Sequence, residues 1–187
     1  MRNIFIDLGA NEGQTILHFF SHDWVQNPRD YECFAFEPIH FEQWEKIIEE
    51  HPNVQVIEKI AWLYDGTIKL AVHPNTISSS LLPEKVDYTA NNLVEYPCID
   101  FSEWIKQFKG EKVILKINIE GGEFELLEKM IADKTISVVT NLYIEWHNEK
   151  LGDTRKWTAR REKIEADLKS LGINYTKWRQ DEMLSLF

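Results

Sequence analysis

The chain has 187 residues and a formal net charge of −10, from 31 acidic and 21 basic side chains. An apolar content of 43% and an aromatic content of 12% exclude intrinsic disorder. The length is typical of one compact domain, here residues 1–187. The negative charge disfavours a broad nucleic-acid-binding surface, because such a surface needs a positive field around the phosphates.

Targeting and redox signals are weak in this sequence. No apolar run reaches the length of a membrane span and no signal-peptide pattern is recognisable, so we expect a cytoplasmic protein. Cys33 and Cys98 are far apart and belong to no cysteine–histidine cluster. We therefore predict neither a disulfide framework nor a structural zinc site, and we assign no metal ligands.

Apolar runs of strand length alternate along the chain with amphipathic stretches of helical period. Strands are predicted at residues 4–8, 31–36, 54–63, 67–72, 113–119, 137–146 and 173–178, with a last one at 183–187. Helices are predicted at residues 16–24, 41–48, 101–108, 124–131 and 157–171. This order indicates an α/β fold with one doubly wound, mostly parallel sheet and an antiparallel C-terminal strand.

Local turn signals add detail to this pattern. Asp65-Gly66 separates two β-rich runs and predicts a hairpin between them. Residues 73–97 are polar and irregular, and a loop of that length is typical of a lid or a substrate loop. Asp100 followed by Glu103 predicts a capping box at the start of the next helix.

The first predicted strand ends in a glycine-containing turn, Asp7-Leu8-Gly9-Ala10-Asn11-Glu12-Gly13. Ligands of open parallel sheets bind beyond the carboxyl ends of the strands, and Gly9 and Gly13 allow a tight turn before a helix N-terminus. The G-x-x-x-G spacing differs from the G-x-G-x-x-G of dinucleotide sites, so a ligand without a diphosphate is favoured. A purely structural turn is the alternative.

Glu37 ends the second predicted strand. A carboxylate at this position can accept hydrogen bonds from both hydroxyls of a ribose. The alternative is an acidic residue favoured by the dipole of the following helix. Taken together, the first two strand ends favour a ligand that contains adenosine.

Polar side chains also interrupt two later strands. Alternation along residues 113–119 places Lys116, Asn118 and Glu120 on one side, where burial is costly unless they pair or serve a site. A structural ion pair between Lys116 and Glu120 is the alternative. The strand after it ends at Glu145-Trp146-His147, where His147 can exchange a proton near neutral pH or simply lie at the surface.

In this order, the motifs resemble the FkbM family of S-adenosylmethionine-dependent methyltransferases, which mostly methylate hydroxyl oxygens of sugars and related metabolites. The resemblance covers residues 4–150 and rests mainly on residues 4–13, on Phe36-Glu37-Pro38 and on residues 115–121. The last segment is similar to the family's K-I-D-x-E-G motif. The resemblance implies a Rossmann-like methyltransferase sheet that binds S-adenosyl-L-methionine.

The resemblance also implies roles for individual residues. It places the methionine end of the cofactor against the first turn and the ribose against Glu37, with Ser78-Ser79-Ser80 nearby. The predicted cofactor-binding residues are Asp7, Gly9, Ala10, Asn11, Gly13, Glu37, Pro38 and Ser79.

Methyl transfer from a sulfonium is an in-line substitution, so the protein mainly orients the reactants and excludes water. We expect Glu120 or His147 to act as the base for a hydroxyl acceptor. Lys116 is expected to polarise or position that acceptor and Asn118 to hydrogen-bond it. Asn118 stands where the family usually has Asp, and its amide lacks the charge of a base or a strong metal ligand.

The expected partner is a small-molecule or glycan hydroxyl acceptor, and a homodimer formed through an edge strand is a further hypothesis. A dinucleotide-dependent enzyme and a non-catalytic cofactor- or carbohydrate-binding module are the alternatives. A third alternative, a nucleic-acid methyltransferase, is supported by a single basic cluster. Trp157, Ile164 and Leu168 form an apolar stripe on the same predicted helix, so the basic residues are expected on its solvated face. This cluster consists of Arg155, Lys156, Arg160, Arg161 and Lys163.

Overall fold

The structure is a computed structural model that describes residues 1–21, 25–73, 79–83, 85 and 92–178. Within these ranges the strands are β1 (Asn3–Leu8), β2 (Tyr31–Phe36), β3 (Val54–Ile57), β4 (Ile60–Trp62), β5 (Gly66–Ala71), β6 (Leu93–Asp100), β7 (Lys112–Ile117), β8 (Asn141–Ile144) and β9 (Tyr175–Lys177). The α-helices there are α1 (Gln14–Ser21), α2 (Gln43–Glu50), α3 (Phe101–Trp104), α4 (Glu123–Ala132) and α5 (Thr154–Ser170).

A six-stranded parallel sheet organises the fold, in the order β3-β2-β1-β7-β8-β9. The chain moves outward from β1 to β3 on one side and from β7 to β9 on the other. The order of the strands therefore reverses between β1 and β7. Ligands of open α/β sheets bind at such a reversal, so the residues that follow β1 and β7 lie where a site is expected.

Helices cover both faces of this sheet, as the alternating pattern predicts. On one face, Phe19 of α1 and Trp44 of α2 pack in one core cluster with Phe5 of β1. On the other face, Leu127 of α4 and Ile164 of α5 belong to a second, larger cluster. The central strands are apolar towards both clusters, which is typical of buried parallel strands. The predicted doubly wound α/β fold is confirmed.

The smaller, three-stranded sheet differs from the predicted hairpin. β6 lies between β4 and β5, parallel to β4 and antiparallel to β5. The turn at Asp65-Gly66 thus joins two strands that both pair with β6, which begins inside the segment predicted as a loop. A turn motif reports a local reversal of the chain and does not specify the distant strand that completes the sheet. The rest of that loop is described only at residues 79–83, 85 and 92.

The C-terminal part of the sheet also differs from the prediction. β9 pairs with β8 in a parallel orientation, not an antiparallel one, because α5 returns the chain across the sheet between them. β8 starts at Asn141, later than predicted, since Thr135–Val138 forms a 3-10 helix. The strand predicted at residues 183–187 lies outside the described residues.

Charge pairs neutralise most of the basic cluster on α5. Arg160 contacts Glu125 at 2.6 Å and Glu128 at 2.7 Å, both on α4. Arg161 and Lys163 pair with acidic residues one turn further along α5. Trp157, Ile164 and Leu168 are buried, as the helical stripe predicts. The cluster therefore behaves as a paired helix face and gives no support to nucleic-acid binding.

One local expectation concerns the start of α3. The carboxylate of Asp100 accepts a hydrogen bond from the backbone N–H of Glu103 at 3.1 Å, which confirms the predicted cap of α3.

Among the helices that the structure describes, none combines the length and apolarity needed to cross a membrane.

The burial of Leu127 can be tested against that of Leu171. Leu127 is fully buried, whereas Leu171, just after α5, keeps 53% of its surface exposed. Leu127→Ala should lower the free energy of unfolding by about 2–5 kcal/mol, because the core cannot fully close the cavity. Leu171→Ala should change it by less than about 0.5 kcal/mol. Urea unfolding of both variants measures the difference, and equal losses would contradict this placement of the core.

Candidate functional site

The turn after β1 packs tightly against the ends of β2 and β7. The N–H groups of Gly9 and Ala10 both donate to the carbonyl oxygen of Phe36, at 3.1 Å each. Gly9 has a φ of 75°, and a Cβ at this position would lie 1.9 Å from the carbonyl oxygen of Asn118. Glycine is required here by both the left-handed backbone and the close approach. The turn therefore brings the ends of β1 and β7 together.

A buried ion pair joins β1 to β7 beneath this turn. Nζ of Lys116 lies 2.7 Å from Oδ1 of Asp7, and both side chains are almost completely buried. The same ammonium group donates to the carbonyl oxygen of Gly9 at 3.2 Å. Lys116 therefore pairs with Asp7 and not with Glu120, the partner considered from the sequence. Its charge supports the turn from below.

The carboxylate of Glu37 ties the same turn to the end of β2. Its Oε2 accepts the N–H of Asn11 at 2.9 Å and its Oε1 accepts the N–H of Ile39 at 3.0 Å. Each oxygen keeps capacity for a further hydrogen bond, so two ligand hydroxyls can be accommodated. Burial raises the pKa of Glu37 to about 7, although these two N–H groups act in the opposite direction.

Asn11 has an unusual environment within this turn. Its φ of 47° is left-handed, and its carbonyl oxygen accepts the indole N–H of Trp44 at 3.0 Å. Its side-chain Oδ1 is buried, and none of the described residues hydrogen-bonds to it. A buried amide oxygen without a donor is costly, so a ligand that donates a hydrogen bond here would relieve the cost.

These strand ends surround an open cleft, at the edge of the sheet where ligands of open α/β folds bind. Seven of the predicted site residues line it: Gly9, Asn11, Glu37, Pro38, Ser79, Asn118 and Glu120. An apolar part of the wall comes from the smaller sheet, through Ile60, Ala61 and Leu70. Sequence reasoning missed this wall, because the pairing of β4 and β5 with β6 was not predicted.

The other predicted residues support the cleft without lining it. Asp7 and Lys116 form the buried pair beneath the turn. Ala10 is 2% exposed and belongs to the core, and a Cβ on Gly13 would lie 2.4 Å from a side-chain atom of α2. His147 is buried behind Glu120.

A second group of buried charges adjoins the cleft at the end of β7. The carboxylate of Glu120 lies 2.8 Å from Nζ of Lys85 and 3.3 Å from Nε2 of His147. Nδ1 of His147 lies 3.2 Å from Oε1 of Glu123, which also accepts the backbone N–H of His147 at 2.8 Å. The imidazole is therefore held between two carboxylates.

These contacts move both pKa values away from neutrality. Burial alone would raise the pKa of Glu120, but His147 and Lys85 lower it to about 2. Burial alone would lower the pKa of His147, but Glu123 and Glu120 raise it to about 10. At neutral pH the groups are a carboxylate and an imidazolium. Neither suits a general base, because the pKa of an efficient base lies near the working pH.

Sequence reasoning missed two members of this charge cluster, Lys85 and Glu123. Lys85 belongs to the segment predicted as a loop, yet its side chain is completely buried against Glu120. In the same segment, the hydroxyl of Ser80 donates to the carbonyl oxygen of Glu120 at 2.7 Å. Glu123 has the pattern of an ordinary acidic residue in the first turn of a helix. No local pattern marks either residue, since their partners are distant in sequence.

Gly110 provides a matched control for the strain at Gly9. Its φ is 88°, but a Cβ there would meet no atom within 4 Å. Gly110→Ala should therefore carry only the left-handed strain of roughly 1–2 kcal/mol. Gly9→Ala adds a collision with the backbone of β7 and should lose clearly more stability. Urea unfolding compares the variants, and equal losses would mean that Gly9 is not held against Asn118.

The raised pKa of His147 predicts how stability depends on pH. Because the folded pKa is about 10 and the unfolded value is about 6.5, protonated His147 favours the folded state. This contribution is complete below about pH 6.5 and is lost as the pH rises through about 10. The stability difference between wild type and His147→Gln should shrink over that range in urea titrations. His40→Gln, at an exposed histidine beside Glu58, should show a small difference throughout.

Comparison with known proteins agrees with this geometry. The chain matches the family model of the methyltransferase FkbM domain over residues 7–165. No curated protein and no solved structure matches the chain. The matched range covers well over half of the 187 residues and contains both the cleft and the charge cluster. The chain therefore belongs to the family of FkbM-domain methyltransferases.

Proposed function

We propose that this methyltransferase transfers the methyl group of S-adenosyl-L-methionine to a hydroxyl oxygen of a sugar or another small hydroxylated metabolite. The main support is the cleft at the reversal of strand order, which is lined by the Gly9 turn and by the carboxylate of Glu37. This combination suits an adenosine ligand without a diphosphate. The acceptor class is taken from the resemblance to the FkbM family.

The described residues fit the adenosine part of such a cofactor. Glu37 retains an acceptor position on each carboxylate oxygen, which matches the two hydroxyls of a ribose. The buried Oδ1 of Asn11 can accept a hydrogen bond from the ligand. Ile60 and Leu70 offer an apolar surface for a base ring.

The turn after β1 would hold the methionine end of the cofactor. Gly9 leaves room for a close approach, and Asp7 with Lys116 fixes the turn from beneath. When bound, the cofactor would supply an electrophilic methyl group. Displacement of that methyl group needs aligned reactants and the exclusion of water, which a rigid turn and a walled cleft can provide.

The residues after β7 would position the acceptor. Asn118 lines the cleft, and its amide can both donate to and accept from a hydroxyl. Glu120 and His147, the bases expected from the sequence, are assigned a positioning role instead. The pKa values are about 2 for Glu120 and about 10 for His147, so near neutral pH Glu120 stays ionised and His147 stays protonated.

The cofactor assignment depends most directly on Glu37. Glu37→Gln should raise the Kd for S-adenosylhomocysteine by about tenfold or more, because hydrogen bonds to a charged group contribute about 1.5–3 kcal/mol. Calorimetric titration above pH 7 measures the change, with Glu45→Gln on the exposed face of α2 as the control. Wild-type affinity should also fall as the pH drops through about 7, where Glu37 gains a proton, and Glu37→Gln should not show this fall.

The same titration separates this function from its alternative. Binding of NAD by the wild type, with no binding of S-adenosylmethionine or S-adenosylhomocysteine, would refute the proposal in favour of a dinucleotide-dependent enzyme. Binding of the sulfur ligands with unchanged affinity in Glu37→Gln would refute the ribose assignment alone.

A further inference from the structure

β8 ends in a carboxylate that the roles assigned above do not use. Glu145 follows β8 directly, and its backbone N–H donates to the carbonyl oxygen of Ile117 at 2.9 Å. The last pair in the register of these strands is Ile117 with Ile144, so Asn118 and Glu145 are the residues that directly follow this pair. Asn118 lines the cofactor cleft. Glu145 is therefore the neighbour of the cleft on the adjacent strand.

The carboxyl group of Glu145 is partly buried and incompletely hydrogen-bonded. Its Oε2 has no contact with solvent, and no residue in the described ranges hydrogen-bonds to it. Burial raises the pKa of Glu145 above the usual glutamate range, although the charges of His147, Lys116 and Lys150 oppose the shift and that of Glu120 adds to it. A buried polar atom without a partner in the protein requires an explanation, and a catalytic role is one that the surrounding geometry can support.

Glu145 also lines an open polar groove of about 720 Å³ at this edge of the sheet. Two indoles, Trp146 and Trp178, and two cations, Arg161 and Lys177, line the same groove. The backbone N–H of Trp178 donates to the carbonyl oxygen of Ile144 at 2.9 Å, which fixes this residue beside the end of β8.

These groove walls suit a polyhydroxylated molecule. The charged side chains can hydrogen-bond the hydroxyls of such a molecule. Trp146 adds an aromatic wall, with the guanidinium of Arg161 lying 5.7 Å from its ring centre. Because Asn118 lines the cofactor cleft and Glu145 lines the groove, a hydroxyl bound between these two residues would lie beside both.

We propose that Glu145 is the general base of the methyl transfer and that the groove it lines holds the hydroxylated acceptor. The inference rests on the proposed function. The ionised carboxyl of Glu145 takes the proton of the acceptor hydroxyl, and the electrons of the O–H bond stay on the oxygen. That oxygen forms a bond to the methyl carbon of the sulfonium donor, and the electrons of the S–C bond leave with the sulfur. The products are a methyl ether, a neutral thioether and a proton that Glu145 releases to water.

Glu145 suits this role better than its neighbours do. The pKa values of Glu120 and His147 are shifted away from neutrality, to about 2 and about 10. That of Glu145 is shifted towards neutrality, as general-base catalysis requires. The ion pairs explain why the pKa values differ. Glu120 and His147 are bonded to opposite charges, whereas Oε2 of Glu145 has no hydrogen-bond donor among the described residues.

The test compares the wild type with the isosteric Glu145→Gln variant and with Glu162→Gln, at an exposed position on α5. Calorimetry with S-adenosylhomocysteine should give the same Kd for all three proteins. Methyl transfer from labelled S-adenosylmethionine to a panel of free monosaccharides and uronic acids measures kcat. Glu145→Gln should lower kcat by about 10²–10⁴-fold, the usual contribution of a general base, and Glu162→Gln should not.

A second readout does not depend on turnover. In a ¹³C NMR titration of the glutamate carboxyl carbons, one resonance should titrate above the ordinary glutamate pKa of about 4.3, besides those of Glu37 and Glu125. This resonance should be absent from Glu145→Gln and present in Glu162→Gln. If the panel contains no substrate, the NMR result decides, because absence of such a resonance overturns the assignment.

The outcomes separate the two proposals. If the wild type binds neither sulfur ligand, the proposed function fails and the base assignment fails with it. If all three proteins bind S-adenosylhomocysteine but Glu145→Gln keeps the wild-type kcat, the base assignment is wrong and the methyltransferase proposal stands. Loss of kcat with an unchanged Kd supports both.

Discussion

The buried ion pair between Asp7 and Lys116 is the constraint on which the rest of the site depends. It joins β1 to β7 where the strand order reverses, and its ammonium group also holds the carbonyl oxygen of Gly9. Replacing such a pair with apolar residues often leaves stability unchanged, whereas removing one partner costs roughly 3–5 kcal/mol. The value of the pair is therefore geometric. The pair sets the position and direction of the turn after β1, and this turn forms part of the wall of the cleft.

The ionisable groups around this turn fall into two classes with different partners. Glu120 and His147 are bonded to opposite charges, so their pKa values move away from neutrality and their charges stay constant. Glu37 is buried and Glu145 is partly buried, neither has a bonded countercharge among the described residues, and burial raises both pKa values. Groups of the first class can hold geometry, while groups of the second can respond to a ligand or a proton. This contrast matches the proposed roles, in which Glu120 and His147 position other groups while Glu37 binds the cofactor and Glu145 accepts a proton.

The parts of the fold that the sequence predicts are those with local causes. β1, β2 and β7 are mainly apolar runs followed by glycine, glutamate and asparagine respectively, and the helices after them have a regular apolar stripe. The pairing of β6 and the direction of β9 depend on segments far apart in the chain, so no local pattern reveals them. The same limit applies to the site. His147 has the usual features of a base in sequence, but Glu123, which lies 24 residues earlier, sets its protonation state.

The amide at position 118 is consistent with a base on the neighbouring strand. An aspartate there would face Glu145 across β7 and β8, and two adjacent carboxylates would raise the pKa of one of them by mutual repulsion. They would also compete for the proton of a hydroxyl bound between them. An asparagine can donate to and accept from that hydroxyl without taking its proton. In the proposed function, Asn118 would orient the acceptor and Glu145 would be the single proton acceptor at this point of the sheet edge.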